Sequence, residues 1–439
     1  MKRYIKGIIS GILFSALLFG GMSAFAGAKP AVVWKKIDAA YGDYKIYIDG
    51  ELFEAEDKNG VLEPFNYNGW IYAPFEKIAK ALNRQVRWDG ATHTLYLDEY
   101  EYAVKSDDTI EIVKYLGNKS EVIIPGYIDG YKVTRIGEAA FKNNKNLVSA
   151  VLPDGVDYIG SNAFTGCGSL ERITIPNSVD YIGAAAFWNC KSLINITIPE
   201  SLSVINDYTF VGCISLFSVN IPDSVTSIGA QAFEGCANLR SVNIPDSVVS
   251  IGSQAFWGCN SLYGVTVPES VTSLGRAAFE ECMSLSNITL SGSMGVIGEK
   301  TFASCLNLKS MEIPSGITVI DDRAFAYCEN LTDVIIPDGV TSIGGVWKHE
   351  FYPPSGGYSG AFADCINLKN ITIPGSVVSI GDYTFNRCEN LESVTIPKSV
   401  VEIGRSAFEN CPDLTVSCYR DSYAHKYCTE NEIKFILVG

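Results

Sequence analysis

Apolar residues recur along this chain with a period of 23 residues. Phe141, Phe164, Phe187, Phe210, Phe233, Phe256, Phe279, Phe302 and Phe325 keep that spacing, and Phe362, Phe385 and Phe408 resume it after one gap of 37. Within one unit, Leu239, Val242 and Ile244 have the spacing of a short β-branched strand whose intervening polar residues face outward. Pro245 then ends the strand, at a point where a missing amide donor matters least. Val248 and Ile251 predict a second extended segment, and Gly252 a turn through positive φ. Two units carry Asn206 and Asp321 at that glycine, the residue types that best tolerate left-handed backbone. The Ala255-Phe256 pair predicts a short helical or 3₁₀ turn whose ring fills the interior.

A unit of 23 residues cannot bury its apolar face alone, so twelve such units must stack on one another. The fold expected is a repeat solenoid, mainly β with short helical or 3₁₀ turns, over residues 101–439. Eleven of the 13 cysteines fall three residues after the repeat phenylalanine, from Cys167 to Cys411, and the first unit has Asn144 there. That column reads as an interior ladder bonding to neighbouring backbone, with disulfides between rungs or a metal or redox role as alternatives. Cys418 and Cys428 lie outside the ladder, and a bridge between them is open.

These units resemble the BspA-like leucine-rich-repeat family. The resemblance is carried by Ile221-Pro222-Asp223-Ser224-Val225-Thr226-Ser227-Ile228-Gly229 through Ala232, Phe233 and Cys236. Ile124-Pro125-Gly126-Tyr127-Ile128-Asp129-Gly130 looks like that family's first coil, and Ser422 to Tyr427 like its closing helix. The resemblance implies a leucine-rich-repeat solenoid with roles in adhesion, binding of host proteins or surface display.

The ends of the array differ from it. Lys2, Arg3 and Lys6, the apolar run from Ile8 to Phe19, and Ala24-Phe25-Ala26 form a secretory signal pattern over residues 1–26. Residues 43–98 read as a small α+β domain: a strand at 45–50, a helix at 75–82 and a strand at 94–97 after an Asp89-Gly90 turn. Asn68-Gly69-Trp70-Ile71-Tyr72-Ala73-Pro74 and Val86-Arg87-Trp88-Asp89-Gly90-Ala91-Thr92 make it similar to the copper amine oxidase N-terminal-like stalk domain. No copper is expected, because His93 is the segment's one histidine and a copper site wants several imidazoles.

A formal charge of −15 without a basic stripe excludes a phosphate backbone as partner, so no nucleic acid is expected. His93, His349 and His425 are the only histidines, and no metalloprotease, nucleophile-elbow, phosphate-loop or calcium-loop pattern occurs. Acid pairs such as Glu280-Glu281 and Asp321-Asp322 read as solvated surface rather than glycosidase carboxylates. The chain is therefore expected to be no enzyme and to need no cofactor. Its outward strand position carries Thr174, Thr197, Asn220, Asn243, Thr266 and Thr289, a row that either docks an extended partner or merely reflects strand propensity. Fourteen extra residues, near 345–358, hold Trp347, His349, Phe351, Tyr352 and Tyr358, aromatics suited to contact a protein or sugar unless they fold over their own coil. The function expected is a secreted or cell-surface binding protein for an extracellular protein or glycan, its first domain tethering it to the cell wall. A structural wall component without a specific ligand is the alternative.

Overall fold

The computed structural model describes residues 94–345 and 360–439 continuously, and before them strands at 46–48, 51–53, 55–57, 60–62, 65–67, 70–72 and 85–89, with side chains from residue 99 onward. The signal pattern, the expected helix at 75–82, His93 and the five aromatic and histidine side chains of the insertion lie outside the described residues. Contacts divide the chain into two compact units, Met1–Glu101 with Lys114–Gly117 and Tyr102–Val113 with Asn118–Gly439. In the first, the strands form antiparallel hairpins, among them Gln85–Asp89 with Thr94–Asp98.

The second unit is a β-solenoid of about 14 turns, two more than the phenylalanine count gives. Each regular coil contributes a three-residue strand and a two-residue strand, such as Ser241–Asn243 and Ser250–Ile251. Each strand pairs in parallel with its copy in the next coil, Val219 beside Val242 and Ile228 beside Ile251. Proline ends the first strand as the sequence predicts, and its carbonyl closes the following turn by accepting from the Val248 amide at 3.1 Å. Both strand rows break twice, between Tyr181–Ile182 and Val204–Ile205 and again after Asn287–Thr289, leaving three blocks of paired coils. At the first break the strand shrinks to one bridge, Asn195 to Ser218. At the second, Ser291 replaces the repeat proline and caps a 3₁₀ turn, Gly292–Met294.

The interior holds what the 23-residue beat promises. Phe141 to Phe408 form one continuous stack, with centroids of successive rings 4.9 to 5.8 Å apart. Leu239, Val248, Ile251, Ala255, Phe256 and Cys259 of one coil are all buried. The stack is closed by the helix Tyr423–Glu430, whose Tyr427 meets Phe408 edge-on at 6.3 Å. The Tyr427 hydroxyl also accepts from the Ala407 amide of the last coil at 3.1 Å.

Two local expectations are corrected. The Ala-Phe pair starts no helix: among the described residues, helix is confined to Gly292–Met294 and Tyr423–Glu430. Residues two before and two after the phenylalanine take positive φ instead, as at Gln231 (54°) and Gly235 (67°). Such alternation breaks the right-handed succession a helix needs. The amides of Gln231, Phe233 and Gly235 turn to the next coil, donating to Ser253, Ala255 and Trp257 at 2.9, 2.8 and 2.7 Å.

The glycine after the second strand is selected by space, not by φ. Gly160, Gly183, Gly229, Gly252 and Gly275 are absent from the positive-φ residues, and Gly344 alone of that column turns through +74°. A Cβ on Gly252 would stand 2.4 Å from the Ala230 nitrogen of the coil before. Asn206, likewise without positive φ, stands where the strand rows open, and its side-chain amide donates to the Ile182 carbonyl at 2.6 Å.

Candidate functional site

The parallel register turns single outward residues into rows. Thr174, Thr197, Asn220, Asn243, Thr266 and Thr289 are all exposed, and Asn220 pairs with Asn243 and Thr266 with Thr289 across adjacent strands. The back of the same strands is apolar and buried, through Val219, Val242 and Val265. The row therefore rests on a support that cannot rearrange without opening the core. Beyond the second break it continues through Glu312, Ile335, Thr372 and Thr395, also exposed, so its uncharged character is interrupted there.

The insertion departs from another part of the coil, after the second strand Ser342–Ile343 and before Phe362, so the coil does not place it on the first-strand row. Its first end is fixed at Gly345. Gly345 donates to the Asp322 carboxylate at 2.6 Å, and its carbonyl accepts from Asp382 at 3.0 Å. Across it the stack is undisturbed: Phe325 and Phe362 lie 5.2 Å apart with an interplanar angle of 2°. Burial pushes the Asp322 carboxyl above its ordinary range, and the Gly345 amide partly opposes this. Of the acid pairs, Glu280 is held by Lys300 at 3.2 Å, and Asp322 serves the insertion's base.

The cysteine column is a ladder of thiols. Each donates to the carbonyl of the phenylalanine one coil back, at 3.1 to 3.3 Å, as Cys236 does to Phe210 and Cys259 to Phe233. All 13 cysteines are unbridged, Cys418 and Cys428 included. Desolvation raises the ladder thiols, Cys213 and Cys328 to about 12, which keeps them protonated. Among the described residues no group of three metal-ligating side chains forms. Asn144 is no rung. With no phenylalanine coil before it, its side chain accepts locally from the Asn146 amide at 3.2 Å.

A second ladder escaped the sequence reading. Ser178, Ser201, Ser224, Ser247, Ser270 and Ser376, two residues after the repeat proline, donate to the carbonyls of Val156, Val179, Leu202, Val225, Val248 and Val340 at 2.5 to 2.7 Å. Its signal was the recurrent serine of the Pro-x-Ser-Val motif. His425 sits on the closing helix, its Nδ1 accepting from the Asp421 amide at 3.2 Å.

Stacked parallel coils with a leucine, isoleucine, phenylalanine and cysteine interior define a leucine-rich-repeat protein. The BspA type leucine rich repeat region matches residues 120–240, 226–347 and 358–431, and the chain belongs to that family. A leucine rich cell surface protein from Faecalibacterium prausnitzii A2-165 is similar at 32% identity, over 80% of this chain and 97% of its own, with a TM-score of 0.52. A leucine-rich repeat protein from Bacteroides ovatus is 28% identical over 74% of this chain and 70% of its own, at a TM-score of 0.47. The leucine rich repeat protein of T. pallidum is 35% identical over 45% of this chain and 91% of its own, at a TM-score of 0.40. Among curated proteins no relative matches. No helix among the described residues is long and apolar enough to cross a membrane.

Proposed function

We propose that this chain is an exported, surface-displayed bacterial binding protein whose solenoid presents a rigid face to an extracellular protein or glycan. The carrying observation is the exposed, uncharged row from Thr174 to Thr289, whose members from Asn220 to Thr289 share one parallel sheet over a buried apolar back. Six regularly spaced hydroxyl and amide groups suit a partner that lies along the axis and makes many weak hydrogen bonds. The similar cell surface protein of F. prausnitzii supports the location, and membership of a repeat family supports binding rather than catalysis. The aromatic insertion, through Trp347, His349, Phe351, Tyr352 and Tyr358, supplies a second contact, and residues 43–98 tether the array to the wall.

The test is adhesion of the full chain to host matrix proteins, mucin and isolated cell wall. Replacing Asn220, Asn243 and Thr266 together with alanine is expected to weaken one of these interactions at least tenfold at unchanged melting temperature. Loss on removing residues 346–359, with the triple variant unaffected, moves the site to the insertion. Wall attachment indifferent to both changes makes the protein a structural component of the wall and overturns the proposal.

A further inference from the structure

Beside the exposed row, at the first break in the strand rows, the surface holds a depression of about 340 Å³ lined by Ile194, Asn195, Ser215, Phe217, Asn238 and Arg240. That volume falls at the lower end of small-ligand sites, roughly 300 to 1,000 Å³. Its floor is apolar, with Ile194 and Phe217 each nearly half exposed. Arg240 places its guanidinium 4.9 Å from the centroid of the Phe217 ring.

Two features leave these polar groups open to a ligand. Several arginines of this acidic chain are neutralised: Arg276 takes Glu299 at 2.9 Å in a two-pronged pair, and Arg387 takes Asp364 at 3.1 Å. Arg240 has no carboxylate partner among the described residues, and its planar fork is already oriented by the ring beneath it. Asn238 stands two residues after its ladder cysteine, a position it shares with Asn307, whose side chain is likewise untied among the described residues, and with Asn330, Asn367 and Asn390. Those three amides are tied to the coil before, donating to Leu306, Glu329 and Asn367 at 2.8, 2.8 and 3.2 Å. The Asn238, Asn195 and Ser215 side chains make no such bond among the described residues and line the depression instead.

We infer that this depression binds a carboxylate-bearing sugar of an acidic glycan. The guanidinium pairs with the carboxylate in a bidentate fork, the neutral amide and hydroxyl groups bond ring hydroxyls, and the apolar face of the sugar lies on Ile194 and Phe217. One cation among three neutral polar groups fits a sugar acid better than an acidic peptide, which would call for a row of cations. The inference rests on the proposed binding role but uses residues distinct from the Thr174 to Thr289 row.

The experiment is equilibrium binding of the full chain to oligogalacturonate, hyaluronan oligosaccharides and sialyllactose, with methyl-esterified oligogalacturonate and poly-glutamate as comparisons. At least one acidic sugar is expected to bind, and esterification or Arg240→Gln to weaken it tenfold or more. Arg240→Lys, which keeps charge but loses the fork, falls between, and Asn238→Ala costs a few-fold. Both positions are solvent-facing, so an unchanged melting temperature confirms the fold. Absence of binding to every acidic sugar, or binding indifferent to Arg240→Gln and esterification, overturns the inference, as does preference for poly-glutamate. Adhesion that persists while these probes fail leaves the broader binding role standing.

Discussion

At the residue scale the ladder thiols make the sharpest prediction. A thiol that titrates near 8.5 in the unfolded chain and near 12 when folded keeps its proton longer in the native state. The native state then binds more protons, so stability is complete below about pH 8.5 and declines as pH rises toward 12, by about 1.4 kcal/mol per pH unit for each such thiol. Urea melts at pH 7, 9 and 10.5 should show midpoints falling steadily, and less steeply in a chain with Cys213→Ala and Cys236→Ala. Equal slopes in the two chains would remove the thiols from the explanation. Phe233, stacked on both faces, should cost about 3 to 5 kcal/mol when cut to alanine, read as a drop in unfolding free energy. Tyr427→Phe, removing the acceptor for the Ala407 amide, should cost about 1 kcal/mol.

At the scale of the element, the two kinds of glycine separate backbone conformation from crowding. Gly258 has φ +68°, yet a Cβ there meets nothing nearer than 3.8 Å, so Gly258→Ala should cost only about 1 kcal/mol. Gly252→Ala drives a methyl onto the Ala230 backbone and should cost about 1 to 3 kcal/mol or more. Thermal melts that rank the two variants the other way would refute the crowding account. This is also where sequence reasoning reached its limit. Period and side-chain type disclose which residues point inward, so the Phe256, Ile251 and Cys259 columns were legible. They do not disclose how close two backbones come, and Gly252 was therefore assigned to a turn. Glycine or asparagine two residues past phenylalanine, as in Gly235 and Asn189, carried the left-handed signal that was missed. Of the candidate site, the row from Thr174 to Thr289 was readable because outward positions alternate with inward ones. The freedom of Asn238 was not, since it appears only when the bonds of Asn330 and Asn390 are known.

At the scale of the whole molecule, removing residues 346–359 restores the regular spacing, because Gly344, Gly345, Gly360, Ala361 and Phe362 then read as one ordinary unit. The shortened chain should fold with its melting temperature within a few degrees of the parent. A collapse in stability would show that the insertion holds its own coil. The two breaks in the strand rows have a wider effect, since coils exchange stabilisation only with their neighbours. Native hydrogen exchange is expected to sort the protected amides into three groups, within 109–182, 204–289 and 296–437.

The same breaks govern what happens when such a molecule is gripped at both ends. The ring stack and thiol ladder run unbroken through the seams, while strand pairing there falls to a single bridge at the first and is missing at the second. Tension would find those two seams first, and the array would lengthen in a staircase, each step spending work before the next segment is drawn out.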